Sequence, residues 1–141
     1  MNIERDPAGL SPSDKGAKMD GDKPDLHLVL GDFSRALMAV GSIGTFGAKK
    51  YSKSGWLSVP DGKSRYKSAG LRHYFYEEIE GLLDKDSGLL HAAHAAWNSL
   101  AYLELLLRDI EKNDKCYSEV SYKDNEEFTN SSVLEDRYHY N

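Results

Sequence analysis

Residues 71–98, LRHYFYEEIEGLLDKDSGLLHAAHAAWN, constrain the fold of this chain more than any other stretch. They read as two helical arms joined by the short polar connection Asp84-Lys85-Asp86-Ser87-Gly88, a spacing that favours an antiparallel return. On the first arm His73, Glu77 and Glu80 recur at i, i+4 and i+7 and share one stripe. On the second, His91, His94 and Asn98 recur at i, i+3 and i+7 among mostly apolar neighbours. A hairpin of these arms brings Glu80 near His91 and Glu77 near His94, forming a polar or metal-binding cleft.

The remaining periodicity predicts a mainly α, compact helical domain around this central antiparallel pair. One arm spans about residues 65–83, with Leu71, Phe75, Ile79 and Leu82–Leu83 as its apolar stripe. The other spans about residues 88–110 and is apolar nearly all round, which predicts a buried central helix. Residues 32–51 carry Phe33, Leu37, Val40, Ile43 and Phe46 at helical spacing, with Asp32 or Ser34 as the cap. Gly41, Gly44 and Gly47 within that helix suit close packing against another helix, or a bend that lets backbone amides approach a ligand. Residues 52–64, with Gly55, Pro60 and Gly62, read as a loop.

Alternating Leu26, Leu28 and Leu30 predict a short extended N-terminal segment. The ends are expected to be flexible: a polar arm over residues 1–17 and an acidic tail or docking segment over residues 114–141. A chain of 141 residues is long enough for one hydrophobic core.

Charge and cysteine usage exclude several function classes. The net charge of −5 is mild, with nine Lys/Arg against eight Asp/Glu through Ser64 and nine against fifteen afterwards. That distribution lacks the concentrated basic face of a duplex nucleic-acid binder, yet permits a small anionic ligand held by a few placed cations. Cys116 is the lone cysteine, which fits a reducing compartment. No apolar run reaches membrane-spanning length, so the expected location is the cytoplasm.

Three groups of side chains carry the candidate chemistry. Glu77, Glu80 and Asp84 can converge on a divalent cation such as Mg²⁺, or Mn²⁺, which neutralises polyphosphate and acidifies a bound water. The bland alternative is a solvated charged face. His91 and His94, on a helix with little exposed surface, each need a partner: a metal, a facing carboxylate or a backbone carbonyl. Lys18, Lys23, Lys49, Lys50, Arg65 and Arg72, beside Tyr51 and Trp56, supply the cations and aromatic faces that hold phosphates and stack a base.

Several ordered blocks across residues 18–107 resemble one family. They are Lys18-x-Asp20-x-x-Lys23-Pro24-x-Leu26, Thr45-Phe46-Gly47-Ala48-Lys49-Lys50-Tyr51 followed by Trp56, and Arg65-Tyr66 with Leu71-Arg72-His73. Asp84-x-Asp86-Ser87-Gly88-Leu89 and His91-x-x-His94-Ala95-Ala96-Trp97-Asn98 complete them. The chain resembles the phage-associated family named for the N-terminal domain of dATP/dGTP diphosphohydrolases (the MazZ type, MazG-like). Where relatives often carry Gly-Glu, this chain has Glu80-Gly81. The MazG-like acidic pattern is also matched by letter at Glu77-x-x-Glu80 and Glu111-x-x-Asp114.

The resemblance implies metal-dependent hydrolysis of a purine deoxynucleoside triphosphate to monophosphate and pyrophosphate, in phage nucleotide metabolism and hence in the host cytoplasm. Residues 18–113 are then the nucleotide-binding domain. Glu77, Glu80 and His94 are the expected catalytic groups, and Glu77, Glu80, Asp84 and His91 the expected metal ligands. Lys23, Lys50, Tyr51, Trp56, Arg65, Arg72, His73 and Asn98 are expected on the nucleotide. A homo-oligomer is expected because so apolar a helix is hard to cover in one small chain. The alternative is a non-catalytic binder that sequesters a nucleotide or nucleotide-derived signal. A third reading, a structural helical protein, leaves His91 and His94 as internal packing residues.

Overall fold

A computed structural model describes residues 4–113, which fall into two units, 4–25 and 26–113. The expected acidic tail, Cys116 and the Asp114 half of the second acidic pattern lie outside the described residues.

The first unit is organised by one carboxylate rather than by apolar burial. Asp6 accepts backbone N–H bonds from Ala8 at 2.7 Å and Lys18 at 2.6 Å, with a longer one from Leu10. Those donors, Lys18 foremost, hold its carboxyl below the usual carboxylate range even though burial opposes them. Lys23, expected on the nucleotide, stands 3.7 Å from Glu4 within this unit.

The second unit is helical. Its elements are α1 (His27–Leu30), α2 (Ser34–Lys50), a 3-10 turn at Gly55–Ser58, α3 (Gly62–Glu80) and α4 (His91–Asn113). The leucines whose alternation predicts an extended segment instead form the helical turn α1 and its N-cap. Alternation over so few residues does not distinguish a strand from one exposed turn, and Leu26, Leu28 and Leu30 all remain exposed. Helix α2 begins at Ser34 after Phe33, without a side-chain cap from Asp32 or Ser34. Gly44 is the glycine of its series that packs closely: an added Cβ would lie 3.3 Å from Trp97 Nε1. Gly41 and Gly47 face open space.

Helices α3 and α4 form the central antiparallel pair. Moving down α3 and up α4, Glu80 meets His91, His73 meets His94, Tyr66 meets Trp97, and Lys63 pairs with Asp109 at 2.6 Å. Gly81, at φ 92°, ends α3 in a conformation only glycine adopts without strain. The return is closed by an antiparallel bridge between Leu83 and Leu90, with His91 N–H donating to the Leu82 carbonyl at 2.9 Å.

The orientation of α3 reverses the expected one. Its apolar stripe faces outward: Phe75 is 69% and Ile79 75% exposed and Leu71 is exposed with them, while Leu82 and Leu83, expected to continue this stripe, lie beyond the end of α3 in the return and are also exposed. The face toward α4 carries Gly62, Tyr66, Gly70 and His73. The buried positions of α4 are likewise His91, Ala93, His94, Ala95, Asn98 and Ala101, while Leu100 and Leu103 are exposed. Periodicity identifies an apolar face but not its partner. Here small and polar residues meet across the pair, and Gly70 marks the contact, where an added Cβ would sit 3.4 Å from Asn98 Cβ.

Because Ala95 is fully buried in this contact, Ala95→Leu is expected to lower stability by about 1–3 kcal/mol through overpacking. Urea denaturation measures it. An unchanged midpoint would contradict the close helix approach.

Candidate functional site

Helices α2, α3 and α4, with the loop before α3 and the α3–α4 return, line an open cavity of about 1020 Å³. That volume reaches the upper end of the roughly 300–1,000 Å³ usual for small-molecule sites. Seven of the eight residues expected on the nucleotide line it: Lys50, Tyr51, Trp56, Arg65, Arg72, His73 and Asn98. Asp84 and His94 also reach it, whereas Glu77, Glu80 and His91 do not line it.

One wall is aromatic. Trp56, Tyr66 and Trp97 pack edge to face with ring centroids 5.7–6.2 Å apart, and the Tyr66 hydroxyl donates to the Trp56 carbonyl at 3.0 Å. Burial pushes the Tyr66 phenol above its usual range. Trp56 is thus engaged in the wall, while Tyr51 is largely exposed beside the cavity.

The cations sit along the same lining. Arg72 donates to the Ser68 hydroxyl at 2.9 Å and Arg65 makes a longer bond to the Pro60 carbonyl. Among the described residues, Lys53, Arg65 and Arg72 line the cavity without an ion-pair partner. Lys50 instead pairs with Asp86 across the cavity, which raises its pKa, and lies 5.6 Å from the ring centres of Phe46 and Tyr51.

Three imidazoles occupy the end nearest the α3–α4 return. His73 stacks on His94 with centroids 4.4 Å apart and planes 11° from parallel. Its Nδ1 faces His91 Nδ1 at 2.9 Å, so one ring donates the single proton between them. His91 is 0% exposed, and its Nε2 has no hydrogen-bond partner among the described residues. The nearest carboxylate oxygen to it, on Glu80, is 4.0 Å away, too far for a hydrogen bond. Asp84 accepts from the Ser87 amide at 2.9 Å and hydroxyl at 2.8 Å, and Ser87 Oγ also meets His94 Nε2 at 2.8 Å.

The expected register thus holds at one rung, where Glu80 approaches His91. At the next rung His73, not Glu77, meets His94, because the helices approach closely enough at Gly70 for ring stacking. The half-buried Glu77 is not drawn into the cluster. Among the described residues the donor set that converges is His73, Asp84 and His91, with one ligand atom from each within 4.8 Å of the others. Asn98 is buried, and its amide donates back to the His94 carbonyl at 2.8 Å.

Ser87, Tyr66 and Trp97 belong to the site but not to the residues expected there. The Asp84-x-x-Ser87 spacing, which favours a side-chain-capped turn, is the signal that would have flagged Ser87.

Burial, reinforced by neighbouring imidazoles, lowers the pKa of His73 below its ordinary 6.5. Burial also lowers that of His94, against the pull of Asp84. Burial raises Asp84, but bonds from Ser87 and the nearby imidazoles bring it below the usual carboxylate range. As pH falls below about 6.5 the unfolded chain binds protons that folded His73 and His94 refuse, so stability decreases in that window. Thermal midpoints measured without added metal from pH 7.5 to 5 are expected to fall. Imidazole NMR titrations placing either ring above 6.5 would contradict this.

No curated protein and no solved structure matches the chain. A family model described as dATP/dGTP diphosphohydrolase, N-terminal, matches residues 13–115. The matched span contains all the cavity residues and the imidazole cluster, and on that match the chain belongs to the dATP/dGTP diphosphohydrolase N-terminal domain family.

Proposed function

We propose that residues 26–113 bind a purine deoxynucleoside triphosphate in this cavity and hydrolyse it to monophosphate and pyrophosphate. The observation that carries the reading is the cavity's polarity: Lys53, Arg65 and Arg72, without ion-pair partners among the described residues, share a lining with aromatic side chains and with Asp84, His73 and His94. Arginines suit the charged oxygens of a polyphosphate through paired, charge-assisted hydrogen bonds. Tyr51 offers a face to the base, and a phosphate chain would compete with Asp86 for Lys50.

In the reaction, a water oxygen attacks the α-phosphorus and the bond to the α–β bridging oxygen breaks. The pair of electrons leaves with pyrophosphate. His94, held neutral by burial and oriented through Ser87, takes the water proton on a ring nitrogen. Asp84 fixes Ser87 and thereby the ring. Arg65 and Arg72 meet the negative charge that moves to the leaving group.

The expected magnesium is a separate matter. Magnesium prefers oxygen ligands in near-ideal octahedral geometry. Glu77 and Glu80 stand outside the converging donors, and two of the three that converge are imidazoles. These residues fit magnesium poorly, and none of the steps above is routed through it.

The same separation of the acids favours a second reading, sequestration without turnover, since the cations and aromatics line the cavity without Glu77 or Glu80. Incubation with dATP, dGTP and other nucleotides plus Mg²⁺ or Mn²⁺ decides between them. Monophosphate and pyrophosphate in equal amounts are expected, with Arg72→Ala raising KM about tenfold or more, as loss of a charge-assisted bond worth roughly 1.5–3 kcal/mol requires. Thermal stabilisation by a nucleotide without product would support the binder instead.

The outward stripe of α3 completes the reading. Leu71, Phe75 and Ile79 form an uncharged, exposed row on a long helix, the kind of surface that a second copy covers in a self-complementary interface. Sedimentation is expected to show a homo-oligomer that Phe75→Glu shifts toward monomer. A wild-type monomer at all concentrations would remove this part.

A further inference from the structure

We infer that His73, Asp84 and His91 form a binding site for a first-row transition-metal ion of the Mn²⁺, Co²⁺ or Zn²⁺ class, with Glu80 as the carboxylate that orients His91. The inference rests on the geometry of this cluster and not on turnover, so it stands or falls separately from the hydrolytic reading.

The first observation is the facing pair of ring nitrogens. His73 Nδ1 and His91 Nδ1 are 2.9 Å apart, directed at one another rather than at separate partners. Two nitrogens bound at right angles to one ion at about 2.1 Å lie about 3 Å apart, so the pair already has the spacing of adjacent ligands. An ion held by both would sit to one side of the line joining them, and its binding displaces the proton they now share. Asp84 supplies the third donor, since one ligand atom from each of the three residues lies within 4.8 Å of the others. The chain brings these groups from α3, the return loop and α4, and the Asp84 turn is fixed by Ser87.

The second observation is the far side of His91. This ring is wholly buried, and its Nε2 is without a hydrogen-bond partner, yet Glu80 Oε2 is the carboxylate oxygen nearest to it at 4.0 Å. Metal-bound imidazoles commonly direct the opposite N–H to a carboxylate, which fixes the tautomer and strengthens the ligand. With Nδ1 on an ion, His91 must carry its proton on Nε2, toward Glu80. A purely packed histidine gives no reason for both arrangements around one ring.

Donor chemistry selects the class of ion. Two imidazoles and one carboxylate suit borderline transition ions, whereas Mg²⁺ and Ca²⁺ take oxygen. Three protein ligands leave open positions, as catalytic rather than purely structural sites do. Asp84 belongs both to this set and to the cavity lining, so an ion held here would stand at the edge of the proposed nucleotide site.

The test uses the full chain after chelator treatment, titrated with CoCl₂, ZnCl₂ or MgCl₂ without nucleotide. Expected are one Co²⁺ per chain, visible d–d absorption, and a raised thermal midpoint with Co²⁺ or Zn²⁺ but not with equal Mg²⁺. His73→Gln, at a half-buried position, should keep the helical circular dichroism and lose Co²⁺ affinity at least tenfold. Glu80→Gln should weaken it by about 10–100-fold while preserving the d–d spectrum at saturation. Absence of Co²⁺ binding, equal stabilisation by Mg²⁺, or Co²⁺ binding untouched by His73→Gln would overturn the inference. Co²⁺ bound as expected without nucleotide turnover would uphold this site and remove the hydrolytic reading.

Discussion

Burying an imidazole with one nitrogen unpaired is costly, and that constraint governs the centre of this domain. An unsatisfied buried polar group costs on the order of 1–3 kcal/mol. His91 is in that position, with Nδ1 against His73 and Nε2 facing Glu80 across too long a gap. What the histidines provide is a fixed array of ring nitrogens, held by stacking, by the Ser87 turn and by the small residues that bring α3 and α4 together.

The cavity follows from that close contact. Where Gly70 and Ala95 let the helices touch, the rings of His73 and His94 overlap at one end and Tyr66, Trp97 and Trp56 fill the wall at the other. Helix α2 leans in through Gly44, whose missing side chain accommodates Trp97. The cations of α3 and of the preceding loop then line a space that already has an aromatic wall and the imidazoles of His73 and His94, whose pKa values burial lowers. Cations without ion-pair partners among the described residues, beside such groups, suit an anion with an aromatic part, and the family to which the chain belongs is named for nucleotide hydrolysis.

Much of this was legible in the residues. The three long helices lie where periodicity places them, and Lys50, Tyr51, Trp56, Arg65, Arg72, His73 and Asn98 come together from three separate segments. The rotation of α3 was not legible. Leu71, Phe75 and Ile79 dominate its pattern, and a hydrophobic stripe ordinarily turns toward the core. Here α4 presents His, Asn and Ala, so the matching face of α3 is the one bearing glycine, tyrosine and histidine. The one-rung difference that sets His73 rather than Glu77 against His94 has the same origin, because helix spacing at Gly70 decides which side chains can reach across. Spacing along one chain cannot supply that distance. The Asp84–Ser87 turn was within reach of local rules, but its role depends on His94 Nε2 arriving from another element.

The reversed helix ties the two faces of α3 together. Residues His73 and Phe75 are two positions apart, so any rotation that buried Phe75 against α4 would withdraw the His73 ring from His91 and His94. Polar contact on the inside and apolar exposure on the outside are therefore one structural choice rather than two. The apolar side has the larger hydrophobic gain available, at about 25 cal/mol per Å² removed from water. A partner on that side would supply this gain without rotating the helix, so covering the outer stripe would be compatible with keeping the imidazoles in register.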